Sequence, residues 1–337
     1  MIRLKDIAAR AGVSIMTVSK VLRDEPDISA ATKARIRAMA EEMGYVPHTH
    51  ARSLRYRSSR LFGLLISTAT NPVYARMVVA IEESCQLHGY DLLIGHSLNE
   101  PAREEAFIKR CLARRVDGLF ITPVYRLNPA ATAYESLLRH RIPTVILGHR
   151  ALFCEKFPSV ETDDLAASAS ATRYLLELGH RRIAFLTGPR VSPAAQERYE
   201  GYRRALKEFK LDVDEGLVFH AGSTIEEGRK AALQMLNEHC DATAVQAHND
   251  LVAIGAGEIL LDQGIRIPEQ MSLVGFGNVL LAEHFRVPLT TVRQPKYRLG
   301  VAAVESMLQL LRGETPPQKR LPAEIIRRRS TAPPAGG

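Results

Sequence analysis

The chain has 337 residues, 46% of them hydrophobic and 24% charged, an ordinary composition for a folded protein of two or three domains. No apolar run approaches the roughly 20 residues of a membrane span, and the start, M-I-R-L-K-D-I, has no signal-peptide core. A cytoplasmic protein with no membrane role is expected. Four widely spaced cysteines, Cys85, Cys111, Cys154 and Cys240, form no C-x-x-C pair, which predicts reduced, buried thiols rather than a disulfide framework or a zinc site.

Charge is unevenly placed. Residues 1–60 hold 12 Lys+Arg against 6 Asp+Glu, a net of +6 out of the chain's +8. Such a basic N-terminal fifth fits a module that approaches a phosphate backbone. Within it, Leu4 to Lys20 reads as two short helices joined by a tight turn. Ile7, Ala8 and Ala11 share one apolar face of the first helix, Gly12 frees the backbone for the turn, and Val13 fills the corner. Ser14 is an N-cap, so the second helix is predicted from Ile15 to about Leu22, burying Val18, Val21 and Leu22. Its other face carries Ile15, Met16, Thr17 and Lys20. A third helix, capped by Ser29 and stopped by Gly44, fits Ala30 to Met43 with Ile36, Met39 and Ala40 inward.

Pro47 to Arg60 is rich in Arg and short of large apolar residues, and reads as a linker. Beyond it, strand and helix patterns alternate. The first run has strands at L-F-G-L-L-I, D-L-L-I, G-L-F-I-T and P-T-V-I-L, with helices over Pro72–Gly89 and Ala102–Arg114. The second has a helix from near Asp163 to Gly179, then strands at R-I-A-F-L, G-L-V-F-H, T-A-V-Q-A and S-L-V-G-F. Its remaining helices are predicted over Gln196–Phe209, Thr224–His239 and Leu251–Gln263. This alternation predicts an α/β protein with two open parallel sheets, which bind ligands in the crevice facing the carboxyl ends of their strands. The tail, residues 331–337, is expected to be disordered, and it lacks the apolar heptads of a tetramerising coiled coil, so a homodimer is expected.

The run from Leu4 through A-G-V-S, T-V-S-K-V-L, G-Y-V-P and A-R-S-L resembles the LacI/GalR family of bacterial transcriptional regulators. Further matches are V-D-G-L at Val116, L-G-H-R-R-I-A at Leu178, N-D-L-V-A-I-G-A at Asn249, S-L-V-G-F at Ser272 and P-L-T-T-V-R-Q-P at Pro288. The resemblance implies a helix-turn-helix domain over residues 1–47, a hinge over 48–60, and a periplasmic-binding-protein-like effector and dimerisation domain over 61–330. Its N-subdomain would take residues 61–161 and 293–321, its C-subdomain 162–292 and 322–330. The implied partners are double-stranded, near-palindromic operator DNA and a small-molecule effector bound between the subdomains, with no cofactor.

The DNA-facing set implied by position is Ser14, Ile15, Met16, Thr17, Ser19 and Lys20 on the second helix, with Arg52, Leu54 and Arg55 on the hinge. Ile15 and Met16 lack bidentate hydrogen bonds and would read thymine methyls and groove shape, leaving Lys20 to donate to guanine or to hold a phosphate. Thr17 and Ser19 suit phosphate anchoring. Leu54 matches the leucine that the family wedges into the minor groove. His48 and Arg3 depart from the family's usual Asn and helix-capping Thr, and both weaken local capping.

For the effector, the resemblance points to Asn71, Val73, Tyr74, Arg198, Asn249 and Gly277. Two family acids are missing. Gly277 stands where an Asp commonly takes two sugar hydroxyls, leaving Asn278 as the nearby polar group, and Gly148 with His149 replaces an acid before Arg150. Keeping Arg198 beside His149 and Arg150 while losing two carboxylates points to an anionic effector such as a sugar acid or phosphosugar. The alternative is a neutral sugar held by Asn278 and water, with Arg150 turned to solvent. Asp163 and Asp164 read as caps of the following helix, and His180 as a helix-end residue.

An enzyme is not expected: G-x-S-x-G, H-E-x-x-H and P-loop patterns are missing, and G-A-G at Gly255 lacks the third glycine of a dinucleotide fingerprint. A solute-binding protein of the same two-subdomain build is the rival reading, disfavoured by the N-terminal module. Replacing Leu54→Ala is expected to lower operator affinity and leave effector binding intact; an unchanged gel-shift titration would remove the wedge.

Overall fold

The computed structural model describes residues 2–45, 58–127 and 131–335. The chain divides into two compact units, Met1–Ser59 and Arg60–Gly337.

In the first unit, α1 (Leu4–Ala11), α2 (Ile15–Leu22) and α3 (Ala30–Glu42) close on a small core of Ile7, Ala8, Ala11, Val18, Val21, Ile36 and Ala40. Leu22 and Met39 pack against this core only partly buried. Each helix start has its own cap. The Ser14 hydroxyl accepts from the Thr17 N–H at 3.0 Å, and Ser29 does the same for Thr32 at 3.3 Å. At α1 the N-cap is Arg3, whose side chain makes no capping bond, and the carboxylate of Asp6 instead accepts from the Arg3 N–H at 2.8 Å. An acid inside the first turn thus supplies the reciprocal bond of a capping box, without the side-chain bond that a capping Thr would add. Gly12 takes φ 65° at the turn, a left-handed conformation that costs glycine little.

The second unit is built on two six-stranded sheets. The first is ordered β11-β5-β4-β3-β1-β2 and comprises β1 (Leu61–Ile66), β2 (Asp91–His96), β3 (Gly118–Ile121), β4 (Thr144–Leu147), β5 (Ser159–Thr162) and β11 (Lys319–Leu321). All its pairings are parallel. The second is ordered β12-β10-β9-β8-β6-β7, with β6 (Ile183–Thr187), β7 (Val218–His220), β8 (Ala244–Ala247), β9 (Ser272–Phe276), β10 (Thr290–Arg293) and β12 (Glu324–Ile326). Only β12 runs antiparallel there, against β10. The central strands β1, β3 and β9 are near-continuous apolar runs, as strands covered on both faces require.

Helices α4 (Pro72–Leu87) and α12 (Lys296–Leu311) pack together over the first sheet, with α5 (Pro101–Ala113) and α6 (Thr132–Arg139) on its other face. The second sheet is wrapped by α7 (Asp164–Glu177), α8 (Pro193–Glu208), α9 (Ile225–Asn237) and α10 (Asp250–Asp262), with the short α11 (Leu280–His284) after β9. The chain passes between sheets three times: after β5, after β10, and between β11 and β12. Helices α7 and α8 touch backbone to backbone. A Cβ at Gly201 would lie 2.4 Å from the Leu165 carbonyl oxygen, so only glycine fits.

Three expectations need correction. Helix α8 begins at Pro193, three residues before Gln196, because Ser192 caps it through the Ala195 N–H and Pro193 occupies the first turn, where its missing N–H costs nothing. The strand expected over G-L-V-F-H is reduced to Val218–His220, since the Asp214 carboxylate accepts from the Gly216 N–H and winds 215–217 into a 3-10 turn. The tail is anchored, not loose, at residues 331 and 332. Ala332 donates its N–H to Ser272 Oγ at 3.0 Å, its carbonyl lies 2.9 Å from His180 Nε2, and Thr331 meets Tyr174 at 2.9 Å. Its anchor is the buried Ser330, whose hydroxyl donates to the Leu273 carbonyl at 2.5 Å.

Cys85, Cys111 and Cys154 are buried, Cys240 partly so, and all are free thiols. Burial pushes Cys85 and Cys111 up to about 12, which leaves them as unreactive core side chains.

Candidate functional site

The first turn of α2 presents two large apolar side chains outward, with Ile15 52% and Met16 62% exposed. In a unit with so small a core, leaving them outside is unfavourable unless that face has a partner. Beside them, Thr17 Oγ1 lies 2.9 Å from Ser14 Oγ, and Lys20 is ion-paired with Asp27. That pair is exposed and worth little in water, so Lys20 can exchange it for a stronger anion. The Ser19 carbonyl accepts from Arg23 Nε at 2.9 Å, tying the end of α2.

In the second unit a cleft of about 460 Å³ lies where the carboxyl ends of the two sheets face each other. Its walls are strand ends and the segments that follow them: Ser67, Thr122 to Tyr125, Leu147 to His149 and Glu161 from the first sheet; Pro189, His248, Asn249 and Phe276 from the second. Tyr74, Met77 and Leu299 add an apolar side from α4 and α12.

The floor is charged but internally matched. Arg198, only 8% exposed, donates through Nε to Asp164 Oδ1 at 3.0 Å and through Nη1 to the His248 carbonyl at 2.7 Å. Its guanidinium stacks 3.8 Å from the centroid of Phe276. Burial raises the Asp164 pKa despite Arg198 and His149. Burial, with Arg198 adding to it, drives His248 well below the ordinary histidine value, so its ring is neutral. Lys296 donates to the carbonyls of Gly277 and Asn278 at 2.7 and 2.8 Å, and burial lowers its pKa. Among the described residues, three buried polar atoms of the cleft-lining side chains, Thr122 Oγ1, Glu161 Oε2 and His248 Nδ1, have no hydrogen-bond partner. Leaving such atoms unpaired costs free energy that a hydrogen-bonding ligand recovers.

Residues 3–48 match the bacterial regulatory proteins of the lacI family, and residues 172–331 match a periplasmic-binding-protein-like domain. The chain is 32% identical over 311 residues to the HTH-type transcriptional repressor CytR of Escherichia coli (strain K12), covering 92% of this chain and 90% of CytR. It is 32% identical over 322 residues to the ribose operon repressor of the same organism, covering 95% and 96%. The chain belongs to the lacI family of bacterial regulatory proteins. Among solved structures, the Lac repressor dimer bound to operator and the anti-inducer ONPF superposes with a TM-score of 0.88 at 26% identity, covering 98% of this chain and 99% of that one. As a member of this family the chain is a DNA-binding regulator with an effector domain, not an enzyme.

Against that family pattern, Asn71, Val73, Tyr74, His149, Arg198 and Asn249 all line the cleft. Asn71 and Asn249 also cap α4 and α10, accepting from the Val73 and Val252 N–H groups at 3.1 and 2.8 Å. Arg150, Gly277 and Asn278 do not line it. Arg150 is held by the Glu155 carbonyl at 2.9 Å and Gln318 Oε1 at 2.6 Å. The Asn278 amide oxygen accepts from Arg328 at 2.8 Å. Gly277 sits at φ 134°, where an Asp would be strained, so glycine answers a backbone demand there. Arg52, Leu54 and Arg55 lie outside the described residues.

The sequence reading missed Glu161, Asp164, His248 and Lys296. Asp163 does cap α7, through the Ala166 N–H at 3.2 Å, but Asp164 turns inward to Arg198. The pair of acids gave a signal for one cap and one free carboxylate that went unread. Removing Arg198 alone strands a buried carboxylate, so Arg198→Ala is expected to cost about 3–5 kcal/mol at neutral pH. Asp164→Asn combined with Arg198→Met should cost less than the two single losses added together. Urea denaturation of the four proteins measures this, and simple additivity would show the two groups to be independent.

Proposed function

We propose that this regulator is a homodimeric repressor, acting on DNA in the cytoplasm, whose operator affinity is set by a neutral, hydroxyl-bearing small molecule in the cleft. The observation that carries the reading is the conjunction of an outward apolar pair on α2, within a basic helix-turn-helix unit, with a charge-matched cleft elsewhere in the same chain. Ile15 and Met16 read thymine methyls and groove shape while Thr17, Ser19 and Lys20 serve phosphates or a guanine edge. The similar Lac repressor is described as a dimer bound to operator, and a two-fold dimer of helix-turn-helix units implies a near-palindromic site. Leu54, with Arg52 and Arg55, supplies the minor-groove wedge between half-sites.

The charge of the effector follows from pairing. An anionic effector was expected from the carboxylates missing at Gly148 and Gly277, yet Glu161 and Asp164 bring carboxylates into the cleft from other elements. Each cation there already has a protein partner: Arg198 has Asp164, His149 has Glu197, and Lys296 has two carbonyls. Arg150 is directed elsewhere. The unpaired acceptor of Glu161 and the neutral ring of His248 suit ligand hydroxyl or N–H groups beside an apolar wall of Tyr74 and Met77. Such a ligand is a sugar or nucleoside.

A thermal-shift screen against neutral sugars, nucleosides, sugar acids and phosphosugars tests this, since a ligand at 100 times its Kd adds about 2.7 kcal/mol. Stabilisation by a neutral compound is expected. Stabilisation by acids or phosphosugars alone would contradict the neutral effector and leave the regulator assignment in place.

A further inference from the structure

At the edge of the cleft, one carboxylate oxygen joins the two subdomains. Glu197 lies on α8, which wraps the second sheet. Its Oε2 is 3.0 Å from Nε2 of His149, which follows β4 of the first sheet, and it also accepts from Arg320 of β11 in that same sheet. Both N-subdomain groups are themselves braced. The Tyr125 hydroxyl donates to the His149 carbonyl at 2.7 Å, and Arg320 Nε lies 3.1 Å from Glu161 Oε1. Glu197 is therefore gripped by two cations that move with the opposite sheet.

We propose that Glu197 is a positioning residue, a latch whose grip by His149 and Arg320 holds the two subdomains in the relation seen here and slackens as pH rises. Resting on the effector-domain reading, it adds to it a proton as a second input.

The groups facing His149 are Glu197 from α8, Asp164 from α7 at 3.6 Å, and Glu161 from β5. Arg198 is taken up by Asp164, and Arg320 reaches the same Glu197 oxygen as His149. Burial works against a charged His149, but the Glu197 hydrogen bond and the three carboxylates outweigh it and raise its pKa above the ordinary 6.5. Burial would raise Glu197, yet His149 and Arg320 leave it below 4.5, so it stays ionised near neutrality. A histidine raised in the folded state contributes stability that is whole below its unfolded pKa and lost as pH climbs through the folded value. The latch is therefore tight below pH 6.5 and weaker above it, with Arg320 retaining Glu197 at every pH near neutrality.

The test uses the full chain without added ligand. Thermal midpoints and amide hydrogen exchange over residues 148–150 and 194–198 are followed from about pH 6 to about pH 8, the range of histidine titration. Relative to wild type, Glu197→Gln is expected to lose more midpoint and exchange protection at the acid end than at the alkaline end, where only the loss of its Arg320 pair remains. His149→Gln, which keeps the Arg320 pair, should lose protection at the acid end and converge with wild type at the alkaline end, and the double variant should lose little beyond Glu197→Gln. If Glu197→Gln does not fold, His149→Gln alone, which keeps the Arg320 pair, decides the matter. Variant and wild-type curves that run parallel across the range, or additive losses in the double variant, would overturn the latch. None of these outcomes depends on the effector's chemistry, so failure of the neutral-effector reading would register separately in the ligand screen.

Discussion

Burying Arg198 against Asp164 is the constraint around which the cleft is organised. Two parallel sheets facing each other by their carboxyl ends bring together strand-end loops that carry polar side chains and unsatisfied backbone groups. Here one guanidinium ties α7, α8 and the segment after β8 into a single frame, and its flat face covers Phe276. Removed from water, neither charge is tolerable alone. Burial keeps His248 neutral, the Arg198 charge beside it adds to that effect, and the pairing of Arg198 with Asp164 matches the charge of the floor.

Around this frame the cleft holds buried polar atoms without partners among the described residues. Protein interiors pair nearly all buried polar groups, so Glu161 Oε2 and His248 Nδ1 stand out. Both belong to residues that line the cleft. The first unit has its own counterpart in Ile15 and Met16, apolar groups left in water on a surface that is otherwise basic. Each is a local cost that a specific partner offsets, an acceptor awaiting a donor in one case and methyl-sized apolar surface awaiting the major groove in the other.

Much of the fold was legible because the signals were local. Helix α2 runs from Ile15 to Leu22, where Ser14 and the apolar spacing put it, and β1 and β9 coincide with apolar runs at Leu61 and Ser272. The short edge strands β11 and β12 carried no such signal, since their pairing is set by distant partners. The start of the tail was unreadable for the same reason: Thr-Ala-Pro-Pro-Ala carries no helix or strand pattern, and its anchors, His180 and Ser272, are far away in sequence. Within the cleft, position along the family pattern located Arg198 and Asn249. Arg150 and Asn278, expected as polar groups near the missing acids, lie off the cleft, held by Gln318 and Arg328 from the far end of the chain. Counting missing acids at Gly148 and Gly277 missed Glu161 and Asp164, because charge in a cleft is a sum over elements that sequence keeps apart.

The functional claim is a coupling between the cleft and the helix-turn-helix unit, and coupling is a free energy that can be measured. The most direct measurement is fluorescence anisotropy of the full chain on a duplex selected by it from random sequence, with and without a saturating ligand found by thermal shift. An operator Kd that changes by about 5-fold or more on ligand addition is the result predicted. An operator Kd that stays constant while the ligand is demonstrably bound would contradict regulation through the cleft.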